Sequence, residues 1–216
     1  MKTHQARYFA KNMERLSRRD RIFINNPVIM QGMGLAPIVL PATTIQNAII
    51  LAVAMALLLT PTRVIATFLG RQTGFKFRAV LYSLIAGAVY VGVAYMMDIW
   101  FGQTMRTVGI YLPLLVLEPL VIKRYESPQR ERISTSFKKG IITTIGFCLV
   151  LFIMATLREV LAYGTFAGIE VFRTQLLPMA ALPMGGFILL GIVAALWRSA
   201  VNNFKKRVSL EVKKTR

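Results

Sequence analysis

The sequence predicts an all-α, multi-pass membrane protein with about six transmembrane helices. Hydrophobic residues make up 55% of the 216 residues and charged residues only 17%, whereas soluble domains are about 25% charged. Apolar runs near the ~20 residues that a spanning helix needs recur along the chain. Basic residues cluster beside these runs, as orientation signals do. The net charge of +18 therefore indicates membrane topology, and we expect no nucleic-acid partner.

Six apolar segments define the predicted membrane domain, residues 23–200. A basic arm, residues 1–22, precedes it, and a basic tail, residues 201–216, follows it. The loop that includes Arg63 and Arg71 and the loop around Arg132 are also basic, whereas the links near Thr43, Asp98 and Gly168 are not. This alternation predicts that both termini lie in the cytoplasm. The predicted spans are residues 23–42, 45–59 (with a possible extension to 69), 79–97, 108–122, 141–157 and 177–197.

The first and fourth segments carry helix-breaking residues, so both are predicted to be broken helices. Proline lacks a backbone donor and crowds the preceding turn, and open backbone inside a bilayer survives only where protein or a lined cavity covers it. Two halves of three spans each would be inverted relative to one another, and their broken helices could meet near the membrane centre. The residues of this predicted broken-helix site are Gly32, Gly34, Ala36, Pro37, Pro113 and Pro119.

Glu118 is the only acidic residue in the sequence that lies well inside one of the apolar segments. A carboxylate at that depth is costly and indicates function by default, so Glu118 is a candidate for an ion or proton path, or a charge partner for a neighbouring subunit. The alternative is an acid in a wet crevice, with Lys123 or Arg124 within reach.

Arg158 and Glu159 close the fifth predicted span. They could form an ion pair with a partner subunit, or they could be a helix-end pair that reaches water. Both interpretations stay open from the sequence.

Several ungapped motifs between residues 26 and 197 resemble the E-type subunit of the Rnf electron-transport complex, which is similar to the D-type subunit of the Nqr sodium pump. They are Asn26-Pro27-Val28, Gly34-Leu35-Ala36-Pro37, Gly109-Ile110-Tyr111-Leu112-Pro113, Leu157-Arg158-Glu159-Val160-Leu161 and Leu177-Pro178. The resemblance implies a six-helix inverted-repeat subunit that pairs with a sister membrane subunit of the Rnf A or Nqr E type. It also implies flavin and iron–sulfur subunits as partners, in the cytoplasmic membrane of a bacterium or archaeon.

The resemblance fails at the family's redox residues. In the family, two cysteines of each sister subunit hold a two-iron two-sulfur cluster, and the matching positions here are Ala36 and Pro119. Thiolate is the usual cluster ligand and imidazole the main substitute. Cys148 falls on neither position, and His4, the sole histidine, lies in the arm. We therefore predict that this chain alone binds no cofactor or metal, while flavins and clusters belong to partner subunits.

Two functions remain open from the sequence. The first is a structural or ion-path subunit of an Rnf/Nqr-like ion-translocating electron-transport complex. The second is a small inverted-repeat transporter or channel subunit with no link to electron transfer. The sequence contains no nucleophile–base set or phosphate loop, so the chain is at most a non-catalytic subunit of a redox-driven ion translocase. In either case the lipid bilayer surrounds it.

Overall fold

The computed structural model describes residues 20–69, 77–102, 105–118 and 133–213, and within them nearly all regular structure is helical. This confirms the all-α membrane fold. Two short 3₁₀ helices, Gly109–Tyr111 and Pro178–Ala181, and a hairpin of β1 (Thr165–Phe166) and β2 (Ile169–Glu170) complete the described elements. The α-helices are α1 (Leu35–Val39), α2 (Ile45–Leu69), α3 (Arg78–Phe101), α4 (Met105–Val108), α5 (Leu112–Leu117), α6 (Ile133–Tyr163) and α7 (Pro183–Lys213).

Four helices, α2, α3, α6 and α7, are long and apolar enough to cross a membrane. They correspond to the second, third, fifth and sixth predicted spans. The first predicted span instead contains turns and α1, and the described part of the fourth contains a 3₁₀ helix and α5, with α4 directly before it. The described residues thus contain four span-capable helices and two interrupted segments, and the inverted repeat stays a prediction.

Helices α6 and α7 extend well beyond the boundaries drawn from hydrophobicity. Helix α6 begins at Ile133 rather than near residue 141, and α7 continues to Lys213 through most of the predicted tail. Helix α2 passes Pro61 and ends at Leu69, as the extension of the second span predicted, so assigning Arg63 to a loop was wrong; this side chain is only 3% exposed. A helix bonds its own backbone and can therefore continue into water, so charges mark the membrane boundary rather than the helix end. The arm before residue 20 and the basic residues at 70–76 and 119–132 lie outside the described residues.

Helices α2 and α6 form the centre of the fold. They pack extensively against each other, and α3 packs on α2. Half of the apolar span is buried in α2 and in α6, but only 22% in α3 and in α7. The hydrophobic core around α2 and α6 also includes α1, through Ile38 and Val39, and α5, through Leu112 and Leu115. Parts of both interrupted segments are therefore buried in the protein, whereas Gly32, Ile110 and Leu117 are exposed.

Candidate functional site at the two interrupted segments

The first interrupted segment begins with a turn built around Asn26, whose side chain is fully buried. Its amide nitrogen donates to the carbonyls of Ile22 (2.9 Å) and Gly146 (2.8 Å), the latter on α6. Its amide oxygen accepts from the backbone N–H of Val28 at 2.9 Å. This side chain thus satisfies backbone groups on both sides of residue 26, and its bond to Gly146 fixes the turn to α6.

Glycines, not proline, interrupt the first segment. Gly32 has φ 69° and Gly34 has φ 75°, a left-handed conformation that L side chains avoid. Gly34 is the N-cap of α1. Pro37 lies inside the first turn of α1, where its missing donor costs little. The prediction that Pro37 opens the backbone was therefore wrong; Ala36 and Pro37 belong to the short helix that follows the opening.

The second interrupted segment ends at Glu118, the C-cap of α5, with an extended backbone (ψ 136°). The next residue is Pro119, and a residue before proline is sterically driven out of the helical region. Pro113 occupies the first turn of α5, as a helix-starting proline does. Pro119 itself lies outside the described residues.

The two segments meet through one hydrogen bond. The backbone N–H of Gly34 donates to Oε2 of Glu118 at 2.9 Å, and the Glu118 side chain is only 9% exposed. The bond joins residues 84 positions apart. It satisfies an amide at the start of α1, which the helix cannot satisfy internally. The structure thus brings Glu118 to Gly34, with Gly32, Ala36 and Pro37 in the same short stretch.

Arg158 holds the opposite end of α1. Its guanidinium donates to the carbonyls of Val39 and Ala42 (3.1 Å for Ala42) at and after the end of α1, and to those of Ala180 and Ala181 (both 2.9 Å) in the 3₁₀ helix before α7. A carboxyl group at the N-terminus and a cation at the C-terminus both match the dipole of α1. The five donors of a guanidinium suit a cluster of carbonyls that the backbone leaves open.

Glu159 accepts hydrogen bonds from backbone N–H groups, whereas Arg158 donates to backbone carbonyls. Its carboxylate accepts from the N–H of Ile45, the first residue of α2, at 2.6 Å, and from the N–H of Gly168 in the hairpin at 2.9 Å. Arg158 is fully buried and Glu159 is 2% exposed within this single chain. The predicted partner interface and the predicted helix-end pair in water are therefore both replaced by an internal role. The reason is that neighbouring helix ends leave backbone donors and acceptors that these two side chains satisfy.

Sequence reasoning assigned no role to two residues of α7 that hold the first segment. Trp197 donates its indole N–H to the carbonyl of Phe23 at 3.0 Å and stacks on the Phe23 ring. Arg198 donates to the carbonyl of Ile29 at 2.9 Å. Both acceptors are backbone carbonyls. Every residue has one, so the sequence does not indicate which carbonyl a distant side chain will contact.

The residues at this junction do not suit an iron–sulfur cluster. Ala36 offers a methyl group, and the Glu118 carboxyl at the junction is already engaged by the Gly34 amide. Cys148, on α6, is half-buried against the apolar core. Among the described residues there is no group of three or more His, Cys, Asp or Glu side chains that could hold a metal. The polar groups at this junction, the Gly34 amide and the Glu118 carboxyl, bond to each other and join the two interrupted segments.

These features define a multi-pass membrane protein with two interrupted segments that meet inside a helical bundle. The sequence profile of the family described as "Rnf-Nqr subunit, membrane protein" matches residues 17–194. The chain belongs to this Rnf-Nqr family of membrane subunits.

Three relatives illustrate the similarity. Each is named as the E subunit of an ion-translocating oxidoreductase complex. The protein of Shewanella oneidensis is 30% identical over 189 residues, which are 80% of this chain and 81% of that protein. The Haemophilus influenzae protein is 28% identical over 86% of both chains. The protein of Pseudomonas paraeruginosa is 27% identical over 82% of this chain and 81% of its own length.

Proposed function

We propose that the chain is an integral membrane subunit of an ion-translocating oxidoreductase complex, in which it has a structural and ion-path role. Its family and the names of its relatives support membership of such a complex. The observation that carries the specific role is the buried Gly34–Glu118 hydrogen bond. A titratable carboxyl group lies there beside the short stretch that contains Ala36, where the resemblance expects a cluster ligand.

The partners follow from the same assignment. We propose a sister membrane subunit of the Rnf A or Nqr E type, together with flavin and iron–sulfur subunits, in the cytoplasmic membrane of a bacterium or archaeon. Affinity purification of the tagged full-length chain in mild detergent tests this proposal. Co-purification of flavin-bearing and iron–sulfur chains supports it. Isolation of the chain alone, or with chains that carry no redox cofactor, contradicts it and favours the transporter alternative.

Iron should be absent from this chain itself. Ala36 and Pro119 carry no metal-binding side-chain atom at the positions of the family's cysteines, and iron–sulfur sites need thiolate or imidazole ligands. We expect the chain, separated from its partners, to contain no stoichiometric iron by elemental mass spectrometry, while the intact complex does contain iron. A one-to-one or higher iron content, with a cluster spin-resonance signal after reduction, would show that other residues ligate a cluster.

The orientation in the membrane follows from the charge pattern, which supports cytoplasmic termini. In a Cys148→Ala background, single cysteines replacing the exposed residues Asp98 and Glu170 should react with an impermeant maleimide added to intact cells. A cysteine replacing exposed Lys206 should react only after the membrane is permeabilised. Labelling of the Lys206 variant in intact cells would reverse the proposed topology.

A further inference from the structure

The connection between α6 and α7 is an ordered structure with an apolar outer surface. The strands β1 and β2 pair Phe166 with Ile169 and Thr165 with Glu170. The turn between them has φ 53° at Ala167 and φ 83° at Gly168, as a type I′ hairpin turn requires. The carbonyl of Gly164 accepts the N–H groups of Val171 and Phe172, both at 2.9 Å. The connection is thus folded by its own backbone bonds.

The hairpin has two chemically different faces. Directly opposed residues on paired strands share a face, so Thr165 and Glu170 lie on one side. The Thr165 hydroxyl donates to Glu159 at 3.2 Å, which ties that side to the end of α6. The other side carries Phe166 (49% exposed) and Ile169 (71% exposed), and Val171, directly after β2, is 55% exposed as well. The polar face is therefore bonded to α6 through Thr165, whereas the apolar face is exposed.

The uncharged part of the helix that follows the hairpin is shorter than the hydrocarbon core of a bilayer, although α7 as a whole is long enough to cross it. From Pro183 to Trp197, the last residue before Arg198, α7 rises only about 22 Å, whereas the hydrocarbon core is about 30 Å thick. Residues 176–182 are also uncharged, and Leu176, Leu177, Met179 and Leu182 are all exposed. The exposed apolar surface of α7 therefore continues without a charge through residues 176–182, and Arg173 lies between this segment and the hairpin.

Backbone at membrane depth needs internal partners, and residues 177–182 have them. Arg158 donates to the carbonyls of Ala180 and Ala181. The N–H of Leu177 donates to the carbonyl of Leu161 on α6 at 2.7 Å. These bonds suit a segment that lies within the apolar layer although it is outside a long α-helix.

The geometry points to the lipid bilayer as the occupant of the apolar face: Phe166, Ile169 and Val171 lie in the acyl–headgroup boundary at the membrane face where α6 ends and α7 begins. Exposed apolar patches mark protein or membrane contacts. Continuity with the exposed apolar surface of the span-capable helix α7 favours the membrane over a protein partner. The hairpin then anchors the α6–α7 end at a fixed depth, independently of the role proposed for Glu118.

Spin labels can measure this depth. In a Cys148→Ala background, Ile169→Cys is labelled with a nitroxide, and the full-length chain is reconstituted into liposomes, with the purified complex in parallel. Collisions with oxygen report lipid and collisions with a water-soluble nickel chelate report water. Ile192→Cys on the exposed side of α7 is the lipid reference, and Lys206→Cys is the water reference. Glu170→Cys, on the opposite hairpin face, is the matched control.

We expect the label at residue 169 to be several-fold more accessible to oxygen than to the nickel chelate, at a depth shallower than residue 192. The label at residue 170 should collide more with the chelate. Chelate accessibility at residue 169 equal to that at residue 206 would place the hairpin in water and overturn the inference. Shielding from both reagents in the complex would assign the face to a partner protein and would overturn it as well.

Discussion

Replacing Arg158 by methionine is expected to destabilise the fold strongly. Arg158 is fully buried, and its guanidinium satisfies carbonyls at both Val39–Ala42 and Ala180–Ala181. Methionine keeps the apolar part of the side chain but donates nothing. Each buried polar group left unpaired costs about 1–3 kcal/mol, so a total loss of roughly 3 kcal/mol or more is expected. The measurement is the midpoint of heat-induced loss of the monodisperse size-exclusion peak in detergent.

Two further variants separate the carbonyl contacts from charge alone. Arg158→Lys keeps the charge, but one ammonium group cannot reach acceptors on both α1 and the 3₁₀ helix, so an intermediate midpoint is expected. Arg173→Met removes an exposed arginine from the same connection and should leave the midpoint unchanged. If Arg158→Met unfolds at the wild-type temperature, the carbonyl contacts contribute no net stability.

The two interruptions could be predicted from the sequence because glycine and proline have direct steric consequences for the backbone. The sequence did not show which of these residues interrupts the helix and which lies within a helix. Gly34 provides the left-handed turn, while Pro37 fits within a helix. The same steric rules permit a proline to end one helix or to begin the next, and only the surrounding hydrogen bonds decide between them.

The roles of Arg158 and Glu159 could not be predicted for a different reason. Their partners are the backbone carbonyls of Val39 and Ala180 and the amide of Ile45, which are distant in the chain. Residue types report side-chain chemistry, but they do not report which distant helix ends come close. Charged residues at the end of an apolar run therefore suggested an interface, although the fold uses both side chains internally.

Glu118→Gln should impair ion coupling while the complex still assembles. Glutamine retains a carbonyl oxygen that can accept the Gly34 N–H, so the two interrupted segments should stay joined. It cannot exchange a proton or carry the charge of a carboxylate. If Glu118 serves the ion path, ion uptake driven by the native electron donor in vesicles should fall by about tenfold or more, as expected when a group that transfers a proton is lost. Complex yield should remain that of the wild type.

Glu118→Leu should lose both properties, since leucine fills the space but leaves the buried Gly34 amide without an acceptor. That loss costs about 1–3 kcal/mol, and the yield of the complex should fall with it. Glu170→Gln, which neutralises an exposed acid on the hairpin, is the control and should change neither measurement. Wild-type coupling in Glu118→Gln together with a low yield in Glu118→Leu would leave Glu118 as a structural brace between α1 and α5. Wild-type behaviour in both variants would remove the buried carboxyl from the ion path and from the architecture alike, because neither its charge nor its hydrogen bond would then be needed.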